Sequence, residues 1–323
     1  MADKNLKRTM GLTMATALVI GNMVGSGVFL LPASLADVAG PVSIVGWLFT
    51  GVGAMLLALV FARLGRTFPR TGGPYAYSRR AFGDFIGFQT AWGYWIAAWA
   101  GNAAIAVAFV GYLAVFWGDL SSNHLLAALV GIAVIWLLTF VNIAGARETG
   151  AVQVVTTVLK FVPLAAAEDG LFPAPFARVH GERRTPVFGL VVSSVLVSGL
   201  MLMNYTNGLV DAFTFIILLA TLTTLVPYAY SAAAQAHLYL TEPELFDRRD
   251  FVRDVAIAAL AFAYSVWAIT GSGKDVIAKG FVLLLAGIPI YIAMKWWQTR
   301  QSPAVTGPEP AAPLGELELA GSA

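Results

Sequence analysis

The chain has 323 residues, of which 58% are hydrophobic and 12% are charged, and its mean hydropathy is +0.75. Soluble domains carry about 25% charged residues, so the chain is predicted to be an all-α integral membrane protein solvated by the lipid bilayer. The net charge of +2 gives no support for nucleic-acid binding, and the absence of cysteine excludes disulfides, thiolate catalysis and iron–sulfur clusters. The three histidines are scattered, so neither a metal site nor a cofactor is expected.

Nine apolar segments are long enough to cross a bilayer, which takes about 20 residues in a helix. They are apolar on all sides and do not alternate with period two, so we expect helices and no β-barrel. In chain order they are 11–35, 41–62, 84–116, 124–145, 150–167, 186–204, 211–236, 252–270 and 277–297. Residues 301–323 are rich in proline and glutamate and are predicted to form a disordered tail.

The loops between the segments alternate between arginine-rich and nearly uncharged, which predicts that the arginine-rich loops are cytoplasmic. The alternation breaks once, because Arg147 and the group Arg178, Arg183 and Arg184 flank the single segment 150–167. Three explanations stay open. The segment does not fully cross, the C-terminal half inserts against its charge bias, or an odd number of helices is missing near residue 165.

Segment 11–35 contains three glycines and a serine at the depth of the membrane, in residues 21–27. Each glycine weakens a helix by about 1 kcal/mol relative to alanine. A break here would free backbone amides near Ser26 and Gly27 that suit a carboxylate, and carbonyls near Asn22 that suit an ammonium. Broken helices of this kind mark transporter sites. Close helix packing is the alternative, because Gly21 and Gly25 form a GxxxG motif.

Three later segments carry polar groups within apolar surroundings. In 84–116, Tyr94, Ala98 and Asn102 share one helix face, and Asn102 is either a ligand for substrate or a hydrogen-bonding residue between helices. In 150–167, Lys160 is the most interior charge, and it would either exchange protons or extend to the interface. In 211–236, Pro227 and nearby threonines predict a kink. The motifs of metalloproteases, P-loop proteins and serine hydrolases are absent from the sequence, so no enzyme is expected.

Several motifs together resemble the amino acid–polyamine–organocation (APC) transporters, and in particular their basic amino acid/polyamine antiporters. Residues 22–32 resemble the signature of the first family helix, and residues 71–83 resemble the loop between family helices 2 and 3. The resemblance continues through residues 89–112, 169–173 and 225–228. It covers nearly the whole chain except the tail.

The resemblance implies a LeuT-like (APC) fold with an internal deletion, leaving about nine transmembrane helices. Residues 1–167 would hold the first five-helix repeat and 168–185 a cytoplasmic connecting loop. Residues 186–300 would hold the equivalents of family helices 9–12, followed by the tail 301–323. Family helices 6, 7 and 8 would be absent, and because three is an odd number this loss would explain the break in charge alternation.

The resemblance also implies roles for individual residues. Those implied to bind substrate are Asn22, Gly25, Ser26, Gly27, Ala98, Asn102 and Ala220. Tyr94 and Tyr228 match a gate on the cytoplasmic side of the site, and Lys160 resembles the lysine of proton-coupled members. Ala98 and Ala220 depart from the cysteine and serine of the arginine:agmatine type, so neither arginine nor agmatine is assigned.

Two functions stay open for this chain. The first is a secondary transporter of an amino acid or related amine in the plasma membrane, working by alternating access with proton coupling, with a homodimer left open. The second is a transport-inactive membrane protein with an internal deletion.

Overall fold

The computed structural model describes residues 31–32, 35–36, 38–144, 165–178, 186–204 and 208–301. The longer elements in these ranges are α-helices, joined by loops and short 3-10 turns such as Gly40–Val42. In chain order they are α1 (Ser43–Thr67), α2 (Pro74–Phe82), α3 (Asp84–Leu113), α4 (Asp119–Ser122), α5 (His124–Ala144), α6 (Val187–Asn204), α7 (Gly208–Thr241), α8 (Phe251–Thr270), α9 (Lys274–Leu285) and α10 (Gly287–Gln301).

Seven stretches within these ranges are long and apolar enough to cross a membrane, judged by length and composition. They are Gly40–Thr67, Asp84–Leu113, His124–Ile143, Val187–Asn204, Leu209–Thr241, Arg248–Thr270 and Lys274–Arg300. Seven of the nine predicted segments are therefore confirmed as helices. The other two, 11–35 and 150–167, lie almost wholly outside the described residues.

The helix of the predicted segment 277–297 is interrupted at one residue, because α9 ends at Leu285 and α10 begins at Gly287. Pro289 has no N–H to donate to the carbonyl of Leu285, which weakens the helix at this point. The indole N–H of Trp92 donates to the carbonyl of Leu283 at 2.9 Å. Gly287 leaves the room for this indole, since a Cβ there would lie 2.8 Å from the Trp92 ring.

Helices α3 and α7 form the centre of the bundle and are the longest of those described. Alanine lines much of the buried surface of α3, including Ala91, Ala100, Ala103 and Ala104. Small side chains let helices approach closely where lipid offers no hydrophobic driving force. The remaining long helices pack around this central pair.

Helices α5 and α6 run antiparallel, as two hydrogen bonds across them show. Thr139 and Ser194 share one of 2.6 Å, and Trp136 donates to Ser198 at 3.1 Å. The C-terminal end of α5 therefore lies beside the start of α6, where Phe188 contacts Phe176.

One end of the bundle, which we call the arginine-rich face, collects the C-terminal ends of α1, α7 and α10 and the N-terminal ends of α3, α6 and α8. Ion pairs there join Arg79 to Asp84 and Asp169, and Lys295 to Asp84. The positive-inside rule makes this face cytoplasmic. Residues 144 and 165 both lie at this face.

Candidate functional site

Helices α3 and α7 approach each other closely at Gly93. A Cβ on this residue would lie 3.3 Å from the carbonyl oxygen of Thr223 and 3.5 Å from Cδ of Pro227. Pro227 lacks the N–H that would bond the Thr223 carbonyl in a regular helix. Helix α7 nevertheless continues through Pro227 to Thr241. The glycine and the proline together bring the two backbones into contact beside the predicted gate.

The two predicted gate residues, Tyr94 and Tyr228, lie together across this interface. Their hydroxyls are close enough to interact with each other. Both residues are half-buried, and Tyr228 also packs edge-to-face on Phe61 of α1 with ring centroids 5.0 Å apart. The pair therefore connects α3, α7 and α1 at one point.

The other described residues of the predicted site lie along the same two helices. Ala98 and Ala220 are buried, at 9% and 6% exposure, and Ala220 belongs to the core cluster around α3. Asn102 is half-buried, one turn beyond Ala98. Tyr94, Ala98 and Asn102 thus share a face of α3. Ala98 and Ala220 present only methyl groups, so Asn102 is the polar side chain among these three predicted site residues.

The remaining predicted site residues lie outside the described residues. They are Asn22, Gly25, Ser26, Gly27 and Lys160. Their roles stay predictions.

The tryptophans of α3 were not singled out from sequence as structural hydrogen-bond donors. Trp95 donates to the Ser193 hydroxyl of α6 at 3.1 Å. Trp95 also packs on Phe172 and Phe176, edge-to-face at 5.9 and 5.4 Å. The residues that approach these rings are distant in the sequence, so no local pattern could have identified them.

A second group missed from sequence is a buried polar cluster at the arginine-rich face. Asp254 has 6% of its side chain exposed and pairs with Arg63 at 2.9 Å. Its carboxylate also accepts the Tyr239 hydroxyl at 2.5 Å, and Arg63 donates to that same hydroxyl. The cluster satisfies a buried charge and ties together α1, α7 and α8.

Helix α2 lies between two sets of acidic residues. Arg79 pairs with Asp84 and Asp169, whereas Arg80 pairs with Glu242. Hydrogen bonding by Arg80 lowers the pKa of Glu242 below its ordinary value of 4.5. Burial, followed by the hydrogen bond to Asp169, raises the pKa of Tyr75 above its ordinary value.

In the described part of the chain, no group of three histidine or acidic side chains could hold a metal ion. The described helices are long enough to span the bilayer and carry charges gathered at one end, as in a multi-pass membrane protein. Half-buried polar residues lie along α3 and α7, and we call Tyr94, Asn102 and Tyr228 the strip between these helices.

Comparison with known proteins identifies the family to which this membrane protein is related. Residues 10–167 match the family model described as amino acid permease. Over these residues, just under half of the chain, the protein is similar to the amino acid permease family, which is a family of the APC type. The apolar helices and this similarity indicate a multi-pass protein of the plasma membrane.

Curated relatives at about 40% identity are named as transporters rather than as enzymes. The chain is 42% identical over 152 residues to the arginine/ornithine antiporter of Pseudomonas aeruginosa, covering 46% of this chain and 32% of that protein. It is 41% identical over 157 residues to the cadaverine/lysine antiporter of Escherichia coli, covering 49% and 35%. It is 38% identical over 167 residues to the L-lysine transport protein of Corynebacterium glutamicum, covering 49% and 32%.

The chain therefore spans about a third of the length of these three relatives. None of the matches supports the predicted homodimer.

Proposed function

We propose that this chain is a secondary transporter for an amino acid or a related amine. The observation that carries the proposal is the match of residues 10–167 to the amino acid permease family, together with relatives named for arginine, ornithine, lysine and cadaverine. The charge of those compounds favours a cationic amino acid or a diamine as substrate.

The described part of the site supports this proposal through its shape. The Tyr94–Tyr228 pair closes the strip between α3 and α7 on the side of the arginine-rich face. Asn102 lies two turns away on the same face of α3, where its amide would bind a polar end of the substrate. Alternating access would then require the tyrosine pair to separate and reform.

Two further elements of the proposal rest on residues that the structure does not describe. The backbone at Asn22, Gly25, Ser26 and Gly27 would bind the amino and carboxylate groups of the substrate. Lys160 would couple transport to protons, because a buried ammonium loses its proton more readily than an exposed one.

A transport-inactive protein lacking family helices 6–8 is the alternative. This alternative is favoured by the position of residues 144 and 165 on the same face. The loss of an odd number of membrane crossings would leave a single segment between two residues that both belong on that face. The matches cover only about a third of the length of each relative, which agrees with this alternative.

Uptake of labelled arginine, lysine, ornithine and cadaverine into proteoliposomes, with and without a pH gradient, separates the two functions. A transporter takes up at least one of them, and Ser26→Trp abolishes that uptake. Absence of uptake by a correctly folded wild-type protein across the panel would establish the alternative.

Asn102→Leu distinguishes a substrate ligand from a hydrogen bond between helices. A ligand role predicts about tenfold weaker substrate binding at an unchanged melting temperature, since one lost hydrogen bond costs about 1 kcal/mol or more. A structural role predicts a lower melting temperature. Ile105→Ala, an exposed position one turn away on α3, is the matched control.

A further inference from the structure

A cavity of about 360 Å³ opens at the arginine-rich face, where α7 ends and α8 begins. Its volume falls within the range of about 300–1,000 Å³ that is usual for small-ligand sites. The lining residues are Tyr239, Pro243, Phe246, Asp247, Arg248 and Phe251. They are separate from the strip between α3 and α7, so the proposed transport site does not account for this cavity.

Aromatic rings line the inner part of the cavity and are held firmly in place. Tyr239 and Phe246 are buried and stack with centroids 4.0 Å apart and planes at 26°. Phe251 meets Tyr239 edge-to-face at 5.8 Å. The Tyr239 hydroxyl is fixed by Asp254 and Arg63. Such a wall favours a cation, because the faces of aromatic rings attract positive charge.

Two opposite charges lie at the rim of the cavity. Asp247 and Arg248 are exposed, and neither takes part in an ion pair with another described residue. Asp247 accepts the backbone N–H of Arg249, which leaves carboxylate capacity for a ligand. One carboxylate and one guanidinium beside aromatic rings suit a ligand that carries both an ammonium and an anionic group.

The surroundings of the cavity are apolar and lie at the edge of the hydrocarbon layer. Leu240 and Val252 are next in sequence to the lining residues Tyr239 and Phe251 and are 70% and 76% exposed. Leu240 is near the end of the span Leu209–Thr241, and Val252 is near the start of the span Arg248–Thr270. A ligand bound at this depth would have its polar group at the rim and apolar chains along these side chains.

We propose that this cavity binds the headgroup of a zwitterionic phospholipid. The phosphate contacts Arg248, and the ammonium lies between Asp247 and the aromatic wall. A free amino acid carries the same pair of charges, but it has no apolar chains to cover the exposed side chains of Leu240 and Val252. Because Tyr239 belongs to the polar cluster of Arg63 and Asp254, the bound lipid steadies the junction of α1, α7 and α8.

Native mass spectrometry of the full chain tests the proposal, with phosphatidylethanolamine, phosphatidylglycerol and soluble phosphoethanolamine as probes. We expect phosphatidylethanolamine to bind in preference to phosphatidylglycerol. Arg248→Gln lowers its affinity about tenfold, which corresponds to 1.4 kcal/mol. Asp247→Asn, which retains an acceptor for the Arg249 N–H, removes the preference for the zwitterionic lipid.

Arg249→Gln is the matched control, since Arg249 is adjacent in sequence but does not line the cavity. Equal losses in Arg248→Gln and Arg249→Gln would overturn the proposal in favour of diffuse attraction between charges. A preference for phosphatidylglycerol would overturn it as well. Phosphoethanolamine that competes as strongly as the lipid would show that the ligand is a soluble zwitterion. Equal melting temperatures of the variants confirm that they fold.

Discussion

Tyr94 of α3 and Tyr228 of α7 bring their hydroxyls close enough to interact, beside the close contact of the two helices at Gly93. Tyr94 packs against the core cluster around α3, and Tyr228 packs against the cluster that contains α1 and α8. The pair therefore links two packed groups of helices that otherwise meet mainly along α7. Any rearrangement that separates the groups must break this contact.

A double-mutant cycle measures the energy of that contact. We expect Tyr94→Phe and Tyr228→Phe each to lower the free energy of unfolding by about 1 kcal/mol, because each removes the polar interaction between the two hydroxyls. The double variant loses less than the sum, since the two changes remove one interaction. Strictly additive losses in denaturant unfolding would show that the hydroxyls do not interact.

Trp92→Phe tests the break between α9 and α10. The variant leaves the Leu283 carbonyl without its donor and removes part of a buried ring, so we expect a loss of about 2–4 kcal/mol in unfolding free energy. Trp297→Phe is the control, because Trp297 is 63% exposed. A similar small loss for both would mean that the indole N–H does not stabilise the break.

Two glycines of α1 are predicted to respond in opposite directions to alanine. At Gly53 a Cβ would lie 2.3 Å from the ring of Tyr264, so Gly53→Ala forces α1 and α8 apart and lowers the melting temperature. At Gly51 nothing lies within 4 Å. Gly51→Ala should stabilise by up to about 1 kcal/mol through helix propensity. Thermal unfolding of both variants checks the pair, and equal shifts would contradict the packing of α1 on α8.

The Arg80–Glu242 pair predicts a dependence of stability on pH. The pKa of Glu242 is lowered in the folded protein, so its contribution is present above its unfolded value of 4.5 and is lost as the pH falls through the lower folded value. Since both side chains are partly exposed, the contribution is under about 1 kcal/mol. Melting temperatures of wild type and Glu242→Gln should differ at pH 7 and converge near pH 3. A constant difference between pH 7 and pH 3 would exclude Glu242 as the source.

Single-cysteine labelling checks the arrangement of the two faces, and the natural chain offers a background free of cysteine. Glu168→Cys and Arg249→Cys lie exposed at the arginine-rich face, whereas Ser121→Cys lies exposed at the other end. We expect an impermeant maleimide applied from outside the cell to label only the last of these. Labelling of Glu168→Cys from outside would place residues 165–178 on the opposite face and contradict the fold.

Sequence alone determined that the protein is a bundle of membrane helices and where most of them lie. Their apolar runs are long and continuous, and this composition is a local property that needs no knowledge of packing. The family resemblance likewise followed from local motifs around residues 22–32 and 71–83. It pointed to Tyr94 and Tyr228 without showing that they meet.

Only the tertiary structure decided which side chains meet across helices. The contact of the Trp92 indole with the Leu283 carbonyl joins residues almost 200 positions apart, and the burial of Asp254 depends on Arg63 and Tyr239. The cavity beside Arg248 exists because α7 and α8 diverge there. Such features arise from distances between helices, and the sequence encodes these only through the packing of the whole bundle.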